Sequence, residues 1–358
     1  MSITLKSSFI EDVYIKIADF KDVYGERDLA QSVKKLRGPL KELGIGRRKV
    51  RDLRVQVKGK GRIVEVQGFR GVVKGLGRSL DEEGGNCYVV RHPNYDYVED
   101  IVLVESKRGG KGAVWVNCNG RGLGERGWRN GKDGKAPLKE TIARALLEEA
   151  EFGDKMWGDG EKVVLDPFCG GGTVVIEAAL KWRGGMGDLG MRKYNFQRWK
   201  NWSSCGSWAS LQGDVKRIRE EGLKREGVRF VGYDRDEGVV EDAKANAERA
   251  GVGDIVTFER RTISELRNIW KSEGVECGWI VTNPPWGGRI KGGGELRNLW
   301  GKFGHVMERE FKGWRIGVVA GEDKLIRWMG GKGWKKTEFG GGEKGIWSNV
   351  ITGKEKGK

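Results

Sequence analysis

The chain has 358 residues, 37% of them hydrophobic and 33% charged; this balance excludes a disordered polymer, and the lack of a long apolar run argues against a membrane-spanning chain. Lys and Arg number 67 against 51 Asp and Glu, a formal net charge of +16 that suits a polyanionic partner, nucleic acid before a membrane surface. Five scattered cysteines with no C-x-x-C spacing, and only two histidines, argue against a disulfide framework, a zinc cluster and a histidine triad, and for a reducing compartment.

Taken in chain order, residues 1–130 have mixed character. Alternation predicts a strand over 9–17, and the spacing of Leu29, Val33, Leu36 and Leu40 predicts a helix over 26–43. Short strand-like runs follow at 53–57, 63–66, 87–90, 101–105 and 113–117. Lys and Arg are scattered through this part without a catalytic constellation, as expected of a basic α+β domain that grips a substrate. A glycine- and arginine-rich link at 120–129 leads to Pro137 in the first turn of a helix with the apolar stripe Leu138, Ile142, Ala145, Leu146 and Ala150. The expected boundary lies near 130, giving domains 1–130 and 131–358.

From 160 onward strands and helices alternate, the pattern of a doubly wound, mostly parallel α/β sheet. Strands are predicted at 163–166, 229–233, 255–258, 277–281 and 314–320, with an antiparallel pair at 334–339 and 346–351 to make seven. Helices are predicted at 173–181, 237–250, near 264–271, at 295–311 and at 323–329. An insertion over 183–228 interleaves basic and aromatic residues from Arg192 to Trp202, then Trp208. That composition suits either stacking on exposed RNA or an aromatic cover over the sheet edge.

Three stretches carry chemistry. Asp166-Pro167-Phe168-Cys169-Gly170-Gly171-Gly172-Thr173 joins the first strand of this half to its helix. Glycines let a ligand approach the backbone closely, the helix start offers free amides, and the carboxylate suits a cation such as the ammonium of S-adenosylmethionine. Asp234 ends the second strand, where an acid can accept both hydroxyls of a ribose, while Asp236 fits the cap of the next helix. Asn283-Pro284-Pro285-Trp286 follows an apolar strand that the two prolines cannot continue. It sets an amide oxygen, a stiff carbonyl and a flat ring at the ligand-binding edge of the sheet. Methylating an exocyclic amine needs such groups: two acceptors for the amine hydrogens and a surface for the base.

Asp166–Thr173, Gly232–Asp236 and Asn283–Trp286, in this order, resemble an S-adenosylmethionine-dependent methyltransferase. With Arg126-Gly127-Trp128-Arg129, Ala136 through Thr141, Ile176 through Ala179, Arg192 through Trp199 and Gly287-x-Arg289, the wider pattern is similar to the THUMP-domain guanine-N2 RNA methyltransferases of rRNA and tRNA. The resemblance covers about residues 100–350. It implies a Rossmann-like class I methyltransferase domain preceded by a small α+β THUMP-like RNA-binding domain. It further implies cofactor contacts from Asp166, Phe168, Gly170, Gly172, Thr173 and Asp234, and a target guanine held by Asn283, Pro284, Pro285 and Trp286. The expected partner is structured RNA, acted on by a cytoplasmic monomer, or an organellar one if the amino terminus is incomplete; no metal is called for. Trp286 stands where the family often has Tyr. Related enzymes carry an acid after the third strand for the adenine amine; here Thr262 takes that position, with Glu265 a substitute. A DNA adenine or cytosine amino-methyltransferase and a non-catalytic RNA-binding assembly factor remain alternatives.

Overall fold

The computed structural model describes residues 14–20, 54–59, 62–67, 87–91, 102–107, 111–118, 123–129, 137–153, 161–185, 194–198, 206–287, 293–330, 333–338 and 345–350. The chain divides into two compact units, one built mainly from Ile10–Leu123 and Arg192–Gly213, the other from Gly124–Met191 and Asp214–Lys358.

The first unit contains strands β1 (Tyr14–Phe20), β2 (Arg54–Gly59), β3 (Arg62–Gln67), β4 (Cys87–Arg91), β5 (Val102–Lys107) and β6 (Lys111–Asn117). They form one antiparallel sheet in the order β1-β6-β5-β4-β2-β3. Residues 14–17 of the strand expected over 9–17 lie in β1; residues 9–13 and the helix expected over 26–43 lie outside the described residues. Tyr194 and Phe196 belong to this unit and are buried, their rings stacked 5.1 Å apart, with the Phe196 N–H donating to the Cys118 carbonyl at 3.1 Å. These two rings are therefore packed inside the protein; Trp199 and Trp202 lie outside the described residues.

The second unit is the expected α/β sheet. Its strands are β7 (Lys162–Asp166), β8 (Val228–Asp234), β9 (Val256–Arg260), β10 (Gly278–Thr282), β11 (Arg315–Ala320), β12 (Lys335–Glu338) and β13 (Gly345–Val350). Its order is β12-β13-β11-β10-β7-β8-β9; the five strands from β11 to β9 run parallel, and β13 and β12 close the other edge antiparallel. Helices α1 (Glu140–Glu149), α2 (Thr173–Trp182), α4 (Glu237–Ala250), α5 (Gly293–Glu310) and α6 (Asp323–Met329) accompany them, and α3 (Gly206–Leu223) begins in the first unit and enters this one at Asp214. Strands β7 and β10 are buried at every residue because helices cover both faces, which is why they read as continuous apolar runs. Each large apolar side chain buried there contributes roughly 1.5–3 kcal/mol. The two faces make two cores: Phe152, Phe230 and Trp279 centre one, and Trp300, Phe303, Phe311 and Trp314 the other.

One predicted helix is corrected. Residues near 264–271 form a turn followed by a short 3-10 helix, Ile269–Glu273. Tertiary bonds pull this segment out of helical geometry: Asn268 donates from Nδ2 to the Glu310 carbonyl at 3.1 Å and from its N–H to the Glu310 carboxylate at 3.4 Å. Among the described residues no helix is long and apolar enough to cross a membrane.

Candidate active site

Chain order fixes where the site lies. β7 comes first; β8 and β9 follow on one side of it, β10 and β11 on the other, so the strand order reverses between β7 and β10. A crevice opens outside the carboxyl ends of strands at such a switch point. The register Gly278↔Val163, Trp279↔Val164 and Ile280↔Leu165 brings Asp166 and Thr282 side by side at that edge.

Asp166 is almost fully buried. Its Oδ1 accepts from the Phe168 N–H at 3.0 Å and from Thr282 Oγ1 at 2.5 Å. Burial pushes its carboxyl up to about 7; the hydrogen bonds from Thr282 and Phe168 oppose that, and the nearby Asp234 charge adds to it. Asp234, at the end of β8, accepts from the Gly170 N–H through Oδ2 and from the Asp236 N–H through Oδ1, each at 3.1 Å. A carboxylate has about four acceptor sites, so room for further donors remains on both oxygens. Asp236 caps α4, accepting from Gly238 and Val239.

The glycine loop is shaped from below. Gly170 and Gly172 have φ of +50° and +84°, a region that L side chains rarely enter. A Cβ at Gly172 would stand 2.8 Å from the Phe258 ring, whereas one at Gly170 would meet nothing within 4 Å. The loop therefore rests on Phe258 at one end and leaves open space at the other. Asn246, buried on α4, donates to the Gly171 carbonyl at 2.9 Å, and the Cys169 N–H donates to the Tyr233 carbonyl at 2.8 Å. Phe168 turns its ring to Phe303, 5.3 Å away and nearly perpendicular. The Thr173 hydroxyl accepts from Arg129 Nη2 at 2.7 Å, and Arg129 also holds Glu140. Arg126 and Arg144 meet Glu177 of α2 at 3.2 and 3.5 Å, all three buried, so the Arg126–Arg129 stretch anchors the helix that follows the loop.

The Asn283–Trp286 turn is held from two sides. Trp300 of α5 donates its indole N–H to the Pro285 carbonyl at 2.9 Å, and Trp286 donates its own to the Val319 carbonyl of β11 at 3.2 Å. The Trp286 ring is partly exposed and lies over Gly321, where a Cβ would come within 2.9 Å of it. Pro284 is buried. The Asn283 Oδ1 is a buried acceptor with no hydrogen-bond partner. Such an atom typically destabilises a fold by about 1–3 kcal/mol, so its retention points to a ligand that supplies the donor.

Thr262 and Glu265 meet after β9: the Thr262 N–H and hydroxyl both donate to one Glu265 oxygen, at 2.7 and 2.8 Å. Those bonds hold the carboxyl below its ordinary range. Sequence reasoning passed over Thr282, Asn246, Trp300 and Gly321. Only Thr282 had a local signal, its place directly before Asn283.

The model of the RMKL-like methyltransferase domain family matches residues 126–347. Among curated relatives, the ribosomal RNA large subunit methyltransferase K/L of Aliivibrio fischeri is 33% identical over 235 residues, 65% of this chain and 32% of that protein. Its counterpart in Marinobacter nauticus is 33% identical over 246 residues, 68% of this chain and 33% of that protein. The chain thus spans about a third of the length of these relatives. Among solved structures, a Clostridium difficile protein described as a possible methylase superposes with a TM-score of 0.68 at 20% identity, covering 100% of this chain and 89% of that one. A Listeria monocytogenes structure described as a predicted N6-adenine-specific DNA methylase gives 0.66 at 21% identity, covering 96% and 83%. At that identity the two structures speak for the fold, while the match over 126–347 carries the family: the chain belongs to the RMKL-like methyltransferase domain family.

Proposed function

We propose that the protein transfers a methyl group from S-adenosylmethionine to the exocyclic N2 amine of a guanine in structured RNA, rRNA or tRNA. The observation that carries this reading is the buried, unpartnered Asn283 oxygen on a clamped turn, beside a carboxylate-lined glycine loop on the adjoining strand. The residues fit the cofactor: Asp166 suits the ammonium, Asp234 a ribose, and the open side of Gly170 leaves room for a ligand against the backbone. When bound, S-adenosylmethionine supplies the electrophilic methyl group. The protein's own residues orient the acceptor. Asn283 Oδ1 and the Pro284 carbonyl take the amine hydrogens and favour the charge that grows on nitrogen, and the Trp286 face takes the base. Packing beneath the loop and two indole clamps on the turn hold this arrangement before substrate arrives, which favours the chemical step.

In this reading the amino-terminal part, proposed above as 1–130 and lying mainly in the unit of Ile10–Leu123 and Arg192–Gly213, grips RNA, and the unit of Gly124–Met191 and Asp214–Lys358 is catalytic. The curated relatives act on large-subunit rRNA by name, and the net charge of +16 supports a polyanionic substrate. The test is transfer of labelled methyl from S-adenosylmethionine to large-subunit rRNA, bulk tRNA and duplex DNA, each then digested to nucleosides. N2-methylguanosine from RNA is the expected product. N6-methyladenine from DNA, or no transfer at all, overturns the reading.

A further inference from the structure

Asp166 and Thr282 are buried together at the point where the sheet reverses its strand order, on neighbouring strands 116 residues apart in sequence. Thr282 is fully shielded from solvent, and its hydroxyl has a single proton to give. That proton goes to Asp166 Oδ1 at 2.5 Å. The next residue is Asn283. One side chain therefore ties the carboxylate of the glycine loop to the turn that carries the amine acceptor.

We infer that Thr282 is a positioning residue that keeps Asp166 ionised for a cationic ligand, and so sets the pH range in which the protein binds the ammonium end of its cofactor. This rests on the function proposed above. Among the described residues the groups that face Asp166 are few. The Phe168 N–H and the Thr282 hydroxyl donate to it, the Asp234 charge on β8 opposes its ionisation, and Cys169 in the loop is a thiol that burial keeps protonated. Thr282 is thus one of two groups that offset the burial of this carboxylate, and the one a side-chain substitution can remove. A protonated Asp166 cannot pair with an ammonium group, so affinity should fall as pH drops through the carboxyl's range. Removing the hydroxyl moves that range upward.

The experiment is calorimetric titration of S-adenosylhomocysteine into the full-length protein from about pH 6 to pH 9, for wild type, Thr282→Val and Thr282→Ser. The ligand's own titration is common to all three and cancels in their ratios. Thr282→Val keeps the shape of the side chain. With the carboxyl pKa moved up by about one unit, it should bind about fivefold more weakly near pH 7 and about tenfold more weakly near pH 6, and approach wild-type affinity at the alkaline end. Thr282→Ser should restore the wild-type profile. If wild type binds but Thr282→Val runs parallel to it at every pH, the hydroxyl does not govern Asp166 and this inference alone is overturned. If wild type does not bind, the cofactor reading falls and takes this one with it.

Discussion

Replacing Asn283 with Ala should separate stability from turnover, because the atom removed is a liability to the empty fold and an asset to the reaction. Asn283 Oδ1 is buried with no donor. An unsatisfied acceptor of this kind costs about 1–3 kcal/mol, and deleting it recovers part of that against a small loss of packing. The variant should therefore unfold no more easily than wild type, its melting temperature unchanged or raised by a few degrees. Cofactor affinity should also hold, since the loop contacts of Asp166 and Asp234 come from β7 and β8. Methyl transfer in a single turnover with saturating RNA should slow by about a hundredfold to a thousandfold, the effect of losing one preorganised polar contact. Two results would refute the reasoning. Near-normal transfer removes Asn283 from the chemistry, and a loss of more than about 2 kcal/mol of stability means its oxygen has a structural partner after all.

Asp234→Ala removes an acceptor from the Gly170 and Asp236 N–H groups as well as from a ribose; calorimetry should show cofactor affinity reduced about tenfold to a hundredfold. Trp286→Phe keeps a flat face but strands the Val319 carbonyl, so the turn should loosen by about 1–3 kcal/mol and the KM for RNA should rise, measured alongside an unchanged cofactor Kd. Glu177→Gln removes the buried carboxylate that Arg126 and Arg144 share and should lower the urea unfolding free energy by about 3–5 kcal/mol. Asp166 has a folded-state carboxyl raised from 3.8 to about 7, so its contribution to stability is present below about pH 4 and is lost as pH rises through 7. In ligand-free protein the urea midpoint should fall over that window, and Asp166→Asn should flatten the fall.

What the sequence revealed and what it hid divide along the distance between partners. β7 and β10 were legible because burial on both faces writes an uninterrupted apolar run. β9 lies at the sheet edge and alternates, and its last two residues, Glu259 and Arg260, are exposed and charged, so the apolar signal stopped short of its end. The Asp236 cap was legible because its partners are two and three residues away. The bond from Gly170 to Asp234 spans 64 residues and that from Thr282 to Asp166 spans 116; neither leaves a trace in local pattern. The false helix near 264–271 has the same origin. Ile263, Leu266 and Trp270 have helical spacing and are all buried, but the bonds from Asn268 to Glu310 decide the backbone there. At the Asn283–Trp286 turn the residue types were readable, while the two indole clamps and the orphaned oxygen were not.

The seating of the glycine loop on Phe258 constrains which substitutions a descendant of this chain can accept, and in what order. A Cβ at Gly232 would lie 2.5 Å from the Phe258 ring and 3.0 Å from Cys169, yet the backbone there is not in a glycine-only conformation. Space alone forbids alanine at 232, so a smaller residue at 258 should ease the ban, leaving the milder contact with Cys169. Gly172 meets the same ring at 2.8 Å but also has a φ of +84°, and trimming Phe258 cannot relieve that. Gly232→Ala should thus be harmful alone and milder beside Phe258→Leu, with a coupling energy of roughly 0.5–3 kcal/mol, while Gly172→Ala stays harmful in either background. One ring makes position 232 conditionally variable and leaves position 172 closed.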